Sequence, residues 1–265
     1  MHPPPRTPLV RSLRIQARVI HALIMREIIT RYGRHNIGFA WLFAEPMLFT
    51  IGIMLIWGIA HRDASSHIDI IPYALTSYST VLVWRNGIGR CALAITPNAS
   101  LLFHRNVRVI DLFLARLILE LGGVTLSTAT LFVILMITGI IPPPVDILTM
   151  IGAWGLLAWY TIGMALIIGG LTEYSEIVDR LWHPIAYFQL PVSGAFIMAS
   201  YLPPNVRNIV LLFPTANCAE ILRYGYFGDQ ITPYYDIPYV CVCCLVLTWL
   251  GLYIVRNASK KIEIQ

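Results

Sequence analysis

Charge is what this chain has least of. Charged side chains make up 12% of its 265 residues, against roughly 25% in an ordinary soluble domain. A soluble globule of this size needs more charge on its surface, so burial in lipid explains the deficit better than a large core. Lysine occurs only at Lys260 and Lys261, and the pattern GxxxxGK[ST] is missing, so this chain has no phosphate-cradling loop of its own. HExxH and GxSxG are missing too, and the seven histidines are scattered, which argues against a metallohydrolase. The five cysteines give no disulfide framework. Cys241, Cys243 and Cys244 form a CVCC cluster with no histidine or carboxylate beside it, so packing is a better reading than a soft-metal site. No metal site is expected. No polar segment interleaves basic residues with aromatics, which argues against nucleic-acid binding. Within the apolar runs the ionisable residues are Glu45, Arg85, Arg90, Arg116 and Glu120, too few for a proton relay.

What is present is apolar length. Hydrophobic residues reach 57% and mean hydropathy is +0.68. A membrane span needs about 20 apolar residues, and six runs qualify: about 39–60, 70–95, 113–140, 147–171, 183–201 and 237–255. Arg85 interrupts the second run, and the fifth is short and opens at His183-Pro184. The first run is too long for a cleavable leader and has no small-x-small site after it, so it is expected to stay as an anchor. Six crossings put both termini on one side. Under that arrangement fourteen Lys and Arg residues fall on the terminal side and three, Arg62, Arg207 and Arg223, on the other. The bias predicts cytoplasmic termini.

The flanking segments add detail. On a helical wheel Arg11, Arg14, Arg18 and His21 fall within about a quarter-turn, opposite Leu9, Leu13, Ile20, Leu23 and Ile24. This predicts an amphipathic helix over 9–30 lying in the inner interface against anionic headgroups, with a basic soluble arm as the alternative. Pro142-Pro143-Pro144 makes a stiff outer turn. Residues 203–231 read as two short helices broken at Pro214, either a re-entrant hairpin on the outer side or an outer loop without membrane contact. With no repeat and no low-complexity linker, 1–265 reads as a single all-α membrane domain.

A chain of spans without chemistry or an ion relay suggests a path powered by something else. REIITRYGRHNIGFAWLFAEP, residues 26–46, resembles the opening motif of ABC-2-type polysaccharide export permeases. In that motif a basic-aromatic pair, a Leu/Ile-Gly-x-x-Trp step and a proline lead into the first span. Here those positions are Arg31-Tyr32, Ile37-Gly38, Trp41 and Pro46. Glu45 before the proline looks more like the capsular polysaccharide exporters than the O-antigen ones. LLFHRNVRVIDLFLARLILE (101–120) resembles the stretch joining spans two and three, although RNVR stands where relatives often have a proline. FPTANCAEILRYGYFGD (213–229) resembles the segment before the last span, with Glu220 to Arg223 as a Glu-Leu-x-Arg-like element.

The resemblance implies a six-span permease that pairs with a second copy of itself in the bacterial inner membrane. It also implies a separate nucleotide-binding subunit that holds ATP and Mg, while this chain binds no cofactor and catalyses no bond chemistry. The cargo would be a lipid-linked polysaccharide, handed on to periplasmic and outer-membrane export proteins. Partner docking would use the cytoplasmic stretch between spans two and three, with Phe103, His104, Arg105, Asn106 and Arg108 as contacts. Glu173 and Glu176 of the next inner loop would add a second contact.

Several residues carry two readings. A guanidinium in hydrocarbon costs at least ~2.5–3.5 kcal/mol, so Arg85 and Arg90 either line a path for an acidic cargo or snorkel to the interface. Trp41, Phe49, Tyr187 and Phe188 either line a conduit for sugars or serve as interfacial belt and packing residues; for Trp41, Trp57 and Trp182 the belt is the ordinary explanation. Glu45 either holds an inner gate with Arg34 or sits at headgroup level. Arg116 and Glu120, spaced i,i+4, are expected to pair with each other. Rival functions are export of O-antigen, of a teichoic polymer or of a small hydrophobic drug, an integral-membrane glycolipid transferase, and a passive scaffold.

Overall fold

The computed structural model describes residues 9–32, 36–60, 68–92, 94, 95, 98, 102 and 107–264, and among these all the regular secondary structure is helical. Nine helices follow in order: α1 Leu9–Tyr32, α2 Asn36–Ala60, α3 Ile70–Cys91, α4 Val109–Ile137, α5 Ile147–Thr172, α6 Ile177–Val192, α7 Pro204–Val210, α8 Pro214–Phe227 and α9 Ile237–Ile264.

Among the described residues four stretches are long and apolar enough to cross a membrane: Ala40–Ala60 in α2, Val109–Ile137 in α4, Ile147–Thr172 in α5 and Ile237–Lys261 in α9. The second and fifth expected spans do not meet the same measure of length and apolarity. α3 is diluted by Ser, Thr and two arginines, and it turns that polarity inward: Thr76, Ser77, Ser79 and Thr80 are buried. The fifth run differs from its expected bounds. Its helix starts at Ile177, runs through Pro184 and ends at Val192. Proline holds φ near the helical value, although Pro184 and Pro191 each remove a backbone donor and crowd the carbonyl four residues back. The helix stops where Gly194 takes a φ of +75° with its α-carbon side packed against Ala216, a conformation that an L-side chain resists.

α5 is the centre of the bundle. It packs along α9, α8 and α3, with α4 and α6 at its flanks, while α4 bridges α3 to α2 and α1. Trp84, Ile88 and Cys91 of α3 join Phe113 and Leu117 of α4 and Leu157, Ala165 and Leu166 of α5 in the main core. Between α5 and α9 the contact is close enough to need glycine: a Cβ on Gly251 would stand 2.7 Å from Leu166 Cβ and 3.0 Å from the Gly163 carbonyl. Small residues at a membrane helix crossing let backbones approach and gain dispersion where lipid offers no hydrophobic drive. Outward faces are greasy, as with Leu55, Ile56 and Ile59 on α2 and Val242, Leu245 and Trp249 on α9.

The flanks follow their local chemistry. Asp146 caps α5 by accepting from the backbone N–H groups of Leu148 (2.9 Å) and Thr149 (3.2 Å). Leu23 of α1 is buried against Leu112 and Ala115 of α4, and Arg11, Arg14, Arg18 and His21 are exposed on the other side. The two helices expected within 203–231 are α7 and α8. The end of α8 is tied back to the proline turn, because Tyr226 Oη donates to the Pro142 carbonyl (2.8 Å) and Asp146 N–H to the Gly225 carbonyl (2.7 Å).

Candidate functional site

Arg85, Asn86, Gly89 and Arg90 follow an i, i+1, i+4, i+5 spacing, which puts them on one face of α3. Trp182, His183, Ala186 and Tyr187 repeat that spacing on α6. The two faces meet and line a cleft of about 230 Å³. Arg85 Nη2 donates to Tyr187 Oη at 3.2 Å, and the guanidinium lies 5.0 Å from the centre of the same ring. These are a hydrogen bond and a cation–π contact in one pair. Among the described residues no carboxylate lines this cleft; two guanidinium groups face it with aromatic rings beside them, and the Glu120 carboxylate stands 3.6 Å behind Arg90 Nε. Such a surface suits an anion carried next to an apolar or sugar face.

Of the residues read from sequence as a path, Arg85, Arg90 and Tyr187 are brought together here. Trp41, Phe49 and Phe188 are not: all three face outward from the bundle, Phe188 with 81% exposure. Asn86 and His183 complete the cleft without having been singled out for it, and their i+1 placement beside Arg85 and Trp182 was the available signal. Trp182 departs from the belt expectation, since it is buried with the main core.

Behind Arg90 stands an ion network that ties three helices together. Glu120 Oε1 of α4 accepts from Arg31 Nη1 of α1 and lies 3.6 Å from Arg90 Nε. Glu27 Oε1 of α1 is 2.9 Å from Arg31 Nη2 and 3.3 Å from Arg116 Nε. Arg116 Nη1 donates to the Arg90 carbonyl at 2.7 Å. The expected Arg116–Glu120 pair is therefore corrected: each side chain turns to α1 and α3 instead of along its own helix. An i,i+4 pair on one helix is worth only about 0.2–0.5 kcal/mol, which cross-helix partners easily exceed. Glu45 lines a small gap with Pro46, Asn86, Arg90 and Glu120; Arg34, its expected partner, lies outside the described residues.

A second node sits toward the other end of α3. Arg223 has 0% exposure, although its place in a connecting segment counted it among outer-loop charges. Its Nη1 is 3.0 Å from Glu220 Oε1. Its Nη2 donates to Ser77 Oγ (2.8 Å), to the Ala195 carbonyl (3.1 Å) and to the Gly194 carbonyl. Glu220 Oε1 also accepts from the Ala199 backbone N–H at 3.1 Å. The i,i+3 spacing of Glu220 and Arg223 was visible in sequence; that the pair is buried between α3, α8 and the turn after α6 was not.

The expected docking residues fall largely elsewhere. Phe103, His104, Arg105 and Asn106 lie outside the described residues. Arg108 precedes α4, and its backbone N–H donates to Asp111 Oδ2 at 2.9 Å. Glu173 follows α5, and its carbonyl accepts from Lys261 Nζ at 3.2 Å. Glu176 is exposed and stands 3.6 Å from Arg180.

Known proteins share this chain along nearly its whole length. Capsule polysaccharide export inner-membrane protein CtrC of Neisseria meningitidis serogroup B is 43% identical over 254 residues, covering 96% of each chain. Capsule polysaccharide export inner-membrane protein BexB of Haemophilus influenzae is 41% identical over 260 residues, 98% of each. Polysialic acid transport protein KpsM of Escherichia coli is 25% identical over 254 residues, 93% of this chain and 95% of the other. Residues 18–227 match the ABC-2 type transporter description, and with that match the chain belongs to the ABC-2 type transporter family.

Proposed function

We propose that this chain is the inner-membrane permease of a capsular polysaccharide exporter, moving a lipid-linked acidic glycan outward. The observation that carries the reading is the identity above 40% with two capsule export proteins over 96–98% of both chains. The same relatives favour capsule over the O-antigen, teichoic, drug and transferase alternatives. Family membership supports a separate nucleotide-binding subunit as the source of work, with ATP and Mg held there, and a second copy of this chain completing the path.

In this reading α3 and α6 join the four apolar helices as membrane crossings. The 22 residues of α3 extend about 33 Å at 1.5 Å each, enough for the hydrocarbon core. The 16 residues of α6 reach about 24 Å, so the turn after it completes the depth. α7 and α8 form an outer hairpin, and both termini are cytoplasmic. The cleft between α3 and α6 receives the anionic part of the cargo, where charge-assisted bonds offset the cost of holding Arg85 and Arg90 at that depth.

Removal of the gene tests the function: polymer retained in the cytoplasm is the expected result, and normal surface polymer rejects it. Arg85→Leu with Arg90→Leu tests the cleft. Export of an acidic polymer is expected to fall at least tenfold with the protein still inserted, whereas undiminished export leaves both arginines as interface anchors.

A further inference from the structure

Glu120 stands between the cleft and α1. Its side chain is 7% exposed, while that of Arg90 is 46% exposed and lines the cleft. One oxygen, Oε1, serves both guanidinium groups: closely toward Arg31, and at 3.6 Å toward Arg90. An oxygen shared in this way has a tight arm and a loose one. In one arrangement Arg90 leans on Glu120. Were Arg90 to turn to an anion in the cleft, Oε1 would be left to Arg31 alone.

α1 carries that difference away from the cleft because it is pinned at points along its length. Near its start Gln16 donates to Asp111 Oδ1 at the head of α4, and Arg26 Nη1 donates to Asn98 Oδ1 at 2.5 Å in the segment joining α3 to α4. Glu27 reaches Arg116, which itself holds the Arg90 carbonyl. Leu23 packs on Leu112 and Ala115 between these pins. The contacts form one continuous chain from the cleft through α1 to Asn98, a route along which a two-position Glu120 can carry a difference between the two places.

We propose that Glu120 is a positioning residue that couples occupancy of the Arg85–Arg90 cleft by a phosphate-bearing lipid to the seating of α1. The inference rests on the cleft reading above. Binding an anion at Arg90 shifts Glu120 to Arg31, tightens α1 against α4 and firms the Arg26–Asn98 contact.

The test uses the full chain in phosphatidylcholine nanodiscs with dodecyl phosphate as probe. Binding is followed by calorimetry and α1 seating by amide hydrogen exchange over residues 9–32. In the unaltered chain, saturating probe is expected to slow exchange in α1 about fivefold or more, the low end of ordinary coupling. Glu120→Gln is expected to bind the probe with α1 exchange unchanged by it, and Glu120→Asp to restore part of the response. Should Glu120→Gln fail to insert, Arg31→Gln carries the same test, since it leaves the Arg90–Glu120 pair in place. An equal α1 response in either Gln variant overturns the coupling and leaves the cleft standing. Absence of probe binding to the unaltered chain sinks the cleft reading and this inference with it.

Discussion

At the scale of single residues, the buried arginine of α8 is the most exacting feature. Arg223 satisfies Glu220, Ser77 and two turn carbonyls at once, and its guanidinium lies 4.7 Å from the Tyr73 ring centre. Removing one member of a buried ion pair leaves the other uncompensated, at about 3–5 kcal/mol. Arg223→Met is therefore expected to lower the thermal midpoint of the detergent-purified protein sharply. Glu220→Gln together with Arg223→Met should recover part of that loss, because no lone charge remains; a double variant worse than the single would contradict the account. Charge partners of this kind are where reading the sequence fell short. Arg116 and Glu120 looked like neighbours at i,i+4, but which way each points depends on the rotation of α4 against α1 and α3, which no linear spacing records.

At the scale of elements, helix placement was legible because apolar length and punctuation are local. The expected starts at 70, 147 and 237 coincide with those of α3, α5 and α9. Pro214 opens α8, and one helix, α1, spans Leu9–Tyr32. The fifth run was misread where the signal was weakest: His183-Pro184 looked like a start, yet the preceding Ile177, Leu181 and Trp182 already belong to the helix. The cap of α5 gives a pH test. The Thr149 hydroxyl, then backbone N–H groups, hold the Asp146 carboxyl below its usual range. Its folded value lies under its unfolded one, so the cap's contribution is present above the unfolded value of roughly pH 4. It is lost as pH falls through the depressed folded value. Asp146→Asn keeps a good capping side chain without the titration. Melting followed from neutral to acid pH should therefore decline less steeply in that variant than in the original.

At the scale of the whole molecule, the charge map and the helix order make one statement about orientation. α1 carries exposed Arg11, Arg14 and Arg18, and the end of α9 carries Lys260 and Lys261. A reporter active only in the cytoplasm should work when fused after Gln265. One active only outside should work when inserted beside Pro142-Pro143-Pro144; the reverse pattern would overturn the topology. The helical class and four of the six apolar runs could be read from composition and hydropathy. The cleft could be read only in part, because Arg85 and Arg90 announce themselves by their cost in lipid, whereas Asn86 and His183 cost less and become visible only once α6 is laid on α3.

The Arg223 node also fixes how α3 and α6 relate. It rivets Ser77 on α3 to the Gly194–Ala195 turn that ends α6. Eight residues further along α3, Arg85 meets Tyr187 by a single hydrogen bond and a ring contact. Two rods fastened so unequally part like the jaws of a clothes-peg. Under the exporter proposed above, a passing glycan would press on the end of the pair that lies away from that rivet.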